Sequence, residues 1–383
     1  MDFRLTDEQT QIQEMVRDFA LSEIKPHLAE WDEAQHFPVD TFKRAGGLGM
    51  LGVTIPEQYG GTGLSYIDYI HVVEELAVVD SGFALSVAAH NSLGTGHIYL
   101  AGNDEQKKKW LPKLTSGEWI GAWGLTEPSS GSDASGMHTT AVKDGDDWIL
   151  NGTKNFITNA TYADISVVLT VTDRNDSKRG VTAFAVEMDR PGIRPGKKEN
   201  KLGMRVSDTA ELVMEDCRVP SSNILGEIGF GFIDAMKVLD GGRISIGALS
   251  VGIARGAYEA ARDYARQRRA FGKAIAEFQA IQFMLADMAT EIDAARLLCY
   301  RAAAMKDAGE KVTQASAMAK LYASEVAVRA TEKGVQIFGG YGFIKEFPAE
   351  KFYRDVKLCT IGEGTSEIQR MVIARNLLAE GNS

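Results

Sequence analysis

Ile165-Ser166-Val167-Val168-Leu169-Thr170-Val171 and Val181-Thr182-Ala183-Phe184-Ala185-Val186 are β-branched runs in a chain whose two flanks read as helix. Each suits a strand, and polar residues and glycine separate the two. Shorter runs at 141–142, 148–150 and 210–213, with turn pairs such as Asp144-Gly145 and Asn151-Gly152 between them, carry the same character across 119–228. Short strands with frequent turns predict an antiparallel sheet.

Outward from this block the period changes. Thr6 with Glu8 and Gln9 opens a helix whose apolar residues Ile12, Met15, Val16 and Phe19 recur at helical spacing. A loop at 56–63 interrupts the pattern. Beyond it 66–79 and 84–100 read as buried helices and 105–110 as a charged one. After Gly229, Ala257, Tyr258, Ala261, Tyr264 and Ala265 line one helix face, and Ile281, Met284, Leu285, Met288, Ile292, Ala295 and Cys299 line another. The predicted class is α+β: a helical domain over 1–118, a middle antiparallel β domain over 119–228 and a helical domain over 229–383. A length of 383 residues supports more than one domain and an ample core.

With 52 acidic and 42 basic residues the net charge is −10, which disfavours a nucleic-acid surface while leaving room for a local basic site. Cys217, Cys299 and Cys359 lack redox or metal spacing and read as inert thiols of a reducing compartment. The six histidines form no metal pair. No long apolar run or Arg-rich leader is visible, so the reading is a cytoplasmic protein without membrane insertion, or a mitochondrial matrix one if the chain is processed.

Five segments carry candidate chemistry. In Ile361-Gly362-Glu363-Gly364-Thr365 a carboxylate stands between two glycines at a helix start; it could serve as a base open to a ligand, and taken alone it reads more readily as a surface turn. Trp123 and the loop Thr126-Glu127-Pro128, then Gly131-Ser132-Asp133, offer hydroxyls and backbone amides to a flat ring, and Asn155-Phe156-Ile157-Thr158 adds an aromatic face; surface turn and half-buried strand are the plain alternatives. Arg262, Arg266, Arg268 and Arg269 could fork onto a pyrophosphate, although at least two of them suit a solvated helix face. Gln336 to Gly342 is a glycine-rich helix end where a cofactor could meet backbone. Gly47-Leu48-Gly49-Met50-Leu51-Gly52 matches a dinucleotide fingerprint by letter, but its helical surroundings make it a helix end and turn.

Taken together and in this order, Trp123 to Asp133, Asn155 to Thr158, Arg268-Arg269-Ala270-Phe271-Gly272, Gln336 to Gly340 and Glu363-Gly364-Thr365-Ser366-Glu367-Ile368-Gln369-Arg370 resemble the acyl-CoA dehydrogenase family over essentially the whole chain. The resemblance implies a C-terminal four-helix bundle, non-covalent FAD, a homotetramer and an electron-transferring flavoprotein as acceptor. Trp123, Leu125 and Thr126 would then contact the isoalloxazine, Phe156 and Thr158 would close around it, and Gly131 and Ser132 would lie on the same loop. Arg268, Phe271, Gln279, Gln336 and Gly340 of a neighbouring subunit would hold the pyrophosphate and adenosine, with Thr365 and Glu367 completing the site. Ser132, Phe232, Asp240, Arg243 and Gly364 would meet the acyl-CoA.

Glu363 matches the family's base, taking the α proton while the β hydride leaves for the flavin to give a trans-2-enoyl-CoA. In some relatives the base stands instead next to the arginine of the Asp-x-x-Arg element, which here is Gly242. Two positions depart from the common pattern: Gly362 where tyrosine is frequent, and Phe156 where tryptophan is usual. Gly362 predicts a pocket open to short branched as well as short straight acyl groups. A glutaryl-type decarboxylating enzyme would need a cation for the distal carboxylate, and residues 82–100 supply no Lys or Arg, only His90 and His97, which read as core or polar helix residues. An acyl-CoA oxidase and a non-enzymatic helical scaffold are the remaining alternatives.

Overall fold

The computed structural model describes residues 4–176 and 179–379. The first helices are α1 (Asp7–Phe19), α2 (Leu28–Ala34), α3 (Val39–Gly47), α4 (Tyr66–Val79), α5 (Ser81–Ala89), α6 (Gly96–Ala101) and α7 (Asp104–Thr115). Thr6 caps α1: its hydroxyl accepts from the Gln9 amide while Gln9 Oε1 accepts from the Thr6 amide, the reciprocal box that its sequence predicts. The predicted continuous helix over 84–100 is broken. A π-helical turn, His90–Thr95, separates α5 from α6. Gly94 there packs against the Gly121–Ala122 backbone, and the Asn91 amide donates at 2.9 Å to both Met50 O and Val87 O, so tertiary contacts re-aim the segment.

The sheet consists of β1 (Gly121–Gly124), β2 (Thr140–Asp144), β3 (Asp147–Thr158), β4 (Ile165–Val171), β5 (Val181–Glu187), β6 (Ile193–Lys198), β7 (Thr209–Pro220) and β8 (Ile224–Leu225), in the order β6-β7-β3-β2-β4-β5-β8 with β1 also on β4. It is not purely antiparallel as the turn pattern predicts. β1 runs parallel to β4, and β2 meets β4 through one parallel bridge. These pairs are not hairpin neighbours, so no tight turn forces opposite directions. β1 is Gly-Ala-Trp-Gly and carries no β-branched signal; it is held in part by Asp164, whose carboxylate accepts from the Ile120 amide at 2.8 Å.

Helices return as α8 (Gly231–Gln267), α9 (Gln279–Asp307), α10 (Thr313–Phe338), α11 (Ala349–Asp355) and α12 (Ser366–Ala379). α8, α9, α10 and α12 form the bundle, and α4 packs along α8. Every residue from Gly241 to Ala254 of α8 is buried, so this helix is the axis of the core rather than an amphipathic wall. Its small residues admit close neighbours; at Gly247 a Cβ would lie 2.9 Å from Cys299 Sγ. Buried ion pairs join distant segments: Lys351 Nζ donates at 2.6 Å to both Asp80 and Asp355, and Asp355 also accepts from Ser81 Oγ and the Met204 amide. The Gly47–Gly52 segment is the end of α3 and the turn after it, not a strand-to-helix phosphate loop. Among the described residues no helix is long and apolar enough to cross a membrane.

Candidate active site

Glu363 lies in the turn before α12 with φ +53°, and Gly364 follows at φ +95°. Two consecutive left-handed residues reverse the chain sharply, which only the second does without strain. The turn is tied down from two helices. Lys320 Nζ, on α10, donates to Gly364 O at 2.7 Å; Gln369 Nε2, on α12, donates to Gly364 O at 3.0 Å and to Glu363 O at 3.2 Å. The glutamate side chain is thereby driven inward over α8.

There it meets Gly242. A Cβ at Gly242 would fall 3.0 Å from Glu363 Cδ, would overlap Oε2, and would press Leu93 of the π-helical turn at 3.2 Å. Position 242 and the Glu363 carboxyl therefore compete for one volume. Glu363 Oε2 is buried and accepts no hydrogen bond within the protein; burial pushes the carboxyl up to about 7, against the pull of the Lys320 and Arg243 charges toward the anion. Tyr66 and Tyr69 of α4 come close enough to feel that charge, and burial keeps both phenols protonated.

At the next position of α8, Arg243 donates to Asp240 Oδ1 at 2.7 Å while Thr313 Oγ1 donates to Asp240 Oδ2 at 2.6 Å. Arg243 Nε is buried without a protein partner, as are Ser366 Oγ and Gln369 Oε1 beside the turn. Buried polar atoms of this kind are normally satisfied, so a cluster of them marks where a ligand completes the bonding. Phe232, half-buried, packs against the apolar cluster that contains Leu93, Leu125 and Leu239.

The loop from Leu125 to Thr139 is built by a device that sequence reasoning missed. Lys154 is wholly buried in β3; its Nζ donates to Glu127 Oε1 at 2.7 Å and to Leu125 O at 3.2 Å. Glu127 also accepts from the His138 and Thr139 amides. One buried ion pair thus folds Leu125 to Thr139 into a fixed loop. Burial pulls Lys154 down to about 8, opposed by the Glu127 carboxylate. The only signal for the clamp is a lysine on the inward-facing side of an alternating strand.

Beside the loop, the β3–β7 register slips between Lys154 and Ile157, a bulge in which Phe156 takes φ +58° and stands 61% exposed. The Asn155 amide donates to Thr126 O at 2.8 Å, so bulge and loop are one surface carrying Trp123, Thr126, Phe156 and Thr158. Gly131 and Ser132 lie exposed on the same loop, and a Cβ at Gly131 would meet nothing within 4 Å. Trp123 Nε1 donates to His97 Nδ1 at 3.0 Å. His97 and His90 are fully buried and burial holds both near 4, so they are neutral core residues and offer no cation to a second substrate carboxylate.

The remaining candidates gather elsewhere. Arg268 follows the end of α8 and sets its guanidinium over the Tyr341 ring at 5.4 Å; Phe271, φ +51° and 95% exposed, meets Phe278 edge-on beside Gln279. Gln336 and Gly340 flank the end of α10, where Cβ atoms at Gly339 and Gly340 would meet open space. Arg262 and Arg266 pair with Asp263, and Arg268 and Arg269 are exposed beyond the last turn of α8. The 24 residue steps of α8 from Arg243 to Gln267 put this group roughly 36 Å along the helix from the Glu363 end. Thr365 accepts from the Ile368 amide and Glu367 is exposed at the start of α12, both at the Glu363 end.

Three family models match in succession: the acyl-CoA dehydrogenase N-terminal domain over 6–118, its middle domain over 122–217 and its C-terminal domain over 229–378. The chain belongs to the acyl-CoA dehydrogenase family. Among its relatives is the short-chain specific acyl-CoA dehydrogenase of Clostridium acetobutylicum, 47% identical over 98% of this chain and 99% of that one. Among solved structures, butyryl-CoA dehydrogenase from Megasphaera elsdenii superposes with a TM-score of 0.97 at 44% identity, covering 99% and 100% of the two chains. A chain from the electron transferring flavoprotein study of Acidaminococcus fermentans, directed at flavin-based electron bifurcation, superposes with a TM-score of 0.98 at 48% identity, covering 99% and 100%. This acyl-CoA dehydrogenase therefore matches short-chain enzymes along its full length.

Proposed function

We propose that Glu363 abstracts the α proton of a short acyl-CoA whose β hydride is accepted by FAD, giving the trans-2-enoyl-CoA. The observation that carries the assignment is the Glu363 carboxyl: its Oε2 buried and unpartnered against Gly242, and shifted to about 7, where a base is half ionised at neutral pH. Its backbone amide is placed by the same turn, and we assign it to the thioester carbonyl, where a hydrogen bond acidifies the α carbon. Asp240, Arg243, Phe232, Ser132 and Gly364 would position the acyl-CoA. Arg243 brings the charge and the unpaired Nε for that work.

The residues present fit FAD. The Phe156 bulge, the clamped Leu125–Ser132 loop and Thr158 offer a flat ring an aromatic face, amides and hydroxyls. Arg268, Phe271, Gln279, Gln336 and Gly340 offer a guanidinium, an exposed ring, two amide side chains and bare backbone to the nucleotide half. Because the groups lie at opposite ends of α8, we assign the second group to a neighbouring copy in a homotetramer, with Thr365 and Glu367 closing the site. When bound, FAD supplies the hydride acceptor that no side chain can provide. An electron-transferring flavoprotein is the proposed acceptor, and the three buried free thiols suit a cytoplasmic setting.

The nearest neighbours of a Cβ at Gly362 are atoms of Leu358, at 3.5 Å or more, which is ordinary contact distance. The open position favours short branched acyl groups alongside butyryl. The test is anaerobic titration of the yellow protein with butyryl-, isobutyryl-, 2-methylbutyryl- and octanoyl-CoA while flavin absorbance is followed. Bleaching by the short panel is expected. Preference for octanoyl-CoA refutes the short-chain pocket, and a colourless protein that cannot be loaded with FAD refutes the cofactor.

A further inference from the structure

Lys320 sits in mid-α10 among the buried residues Ala317, Ala319 and Ala323 and is wholly removed from solvent. Its Nζ donates to Gly364 O, a carbonyl that also accepts from Gln369 Nε2. A neutral amide already holds this turn, so hydrogen bonding alone gives no reason to bury a charge, which is costly without a compensating partner. The titratable and charged groups facing Lys320 are Glu363, Glu367 and Cys359 from the C-terminal segment and Arg243 from α8. Burial raises the Cys359 thiol to about 11 and so keeps it neutral, and Arg243 is already bonded to Asp240. Glu363 is the acidic group that burial itself disfavours as an anion, and Lys320 is the largest influence opposing that burial.

We propose that Lys320 is a positioning residue for the base: it holds the left-handed Glu363–Gly364 turn from beneath and keeps the Glu363 carboxylate ionised, ready to accept the substrate proton. The inference rests on Glu363 being the base. In the step itself Lys320 gives up no proton; the proton that moves goes from the α carbon to Glu363. Facing Glu363 are Lys320 from α10, Arg243 from α8, and Tyr66 and Tyr69 from α4.

The test uses FAD-loaded protein with Lys320→Gln, Lys320→Met and Lys320→Arg, each checked for flavin content and melting temperature. kcat/KM for butyryl-CoA is measured from pH 5.5 to 9.5, because that ratio reports ionisations of the free enzyme. Loss of a neighbouring opposite charge raises a carboxyl by at least about one unit. In Gln and Met the acidic inflection should therefore move up by about one pH unit, lowering kcat/KM about fivefold at pH 7 and less than about twofold at pH 9.5, while Arg restores the wild-type inflection. Lys320→Gln keeps a donor near Gly364 O, so it tests the charge even if Lys320→Met fails to fold. A second readout needs no turnover: the infrared carbonyl band of the protonated carboxyl, identified by its loss in Glu363→Gln, should titrate about one unit higher in Lys320→Gln. A folded, loaded Lys320→Gln with unmoved inflection and unmoved carboxyl band overturns the proposal, as does a loss of rate equal at every pH. Wild-type rates in Glu363→Gln would overturn the base assignment instead, and the carboxyl band would still decide the Lys320–Glu363 coupling.

Discussion

Replacing Glu363 by Gln should damage chemistry and improve stability, because the two effects of this carboxyl have opposite signs. Folding raises its pKa from 4.5 to about 7 through burial. A carboxyl raised in this way binds its proton more tightly in the folded chain, so its penalty is absent below pH 4.5, grows between pH 4.5 and 7, and is complete above pH 7. A gap of roughly 2.5 units at 1.36 kcal/mol per unit amounts to ~3 kcal/mol. Gln matches the volume and cannot ionise, so it removes this penalty. At ~2.1 cal/mol/K of unfolding entropy per residue over the whole chain, ~3 kcal/mol corresponds to a melting temperature about 4 °C higher. Thermal melts of FAD-loaded wild type and Glu363→Gln at pH 5 and pH 8 should show the variant gaining most of that margin only at pH 8. Differences in packing that do not depend on pH cancel between the two conditions. In the same samples the anaerobic flavin bleaching rate with butyryl-CoA should fall by about 10² to 10⁴, the usual worth of a positioned base. An identical melting difference at both pH values would refute the buried, raised carboxyl, and a retained bleaching rate would refute the base.

The other substitutions probe its surroundings. Gly242→Val places a branched side chain where Glu363 and Leu93 now lie; it should slow bleaching by butyryl-CoA at least tenfold, about the effect of displacing a reacting group by a fraction of an ångström, with flavin content unchanged on gel filtration. Lys154→Met leaves Glu127 buried without its cation; a broken buried pair costs about 3–5 kcal/mol, read as a lower melting temperature and flavin lost during gel filtration. Gly362→Tyr should lower the isobutyryl-CoA to butyryl-CoA rate ratio at least about fivefold, roughly 1 kcal/mol of pocket discrimination; an unchanged ratio would remove Gly362 as a specificity position.

The order helices, sheet, helices was legible because it depends on local period and turn chemistry. Thr6 caps its helix, residues 66–79 form one buried helix, and 165–171 and 181–187 pair as neighbouring strands. The parallel strand Gly121–Gly124 was not legible, since its pairing with 165–168 comes from a distant partner and not from its own composition. The π-helical turn at His90–Thr95 escaped for a related reason: its cause is contact with Met50 and with the Gly121–Ala122 backbone, which a helical period does not encode.

For the candidate site, the residues proposed could be named before the fold was known. Glu363 between two glycines, the Thr126–Ser132 loop, Phe156 and the split arginine cluster are chemical types at set spacings, and spacing survives in one dimension. What only the tertiary structure decided is which residues share a volume and what that does to their charge. Gly242 and Glu363, 121 positions apart, compete for one space. Lys154 and Lys320 sit within strand and helix patterns that otherwise read as plain core, and only the fold shows that one ties down the loop at Glu127 and the other the turn at Gly364. The physical reason is that desolvation and Coulomb interaction depend on distance through space and on excluded water, and neither is a property of the chain until it folds.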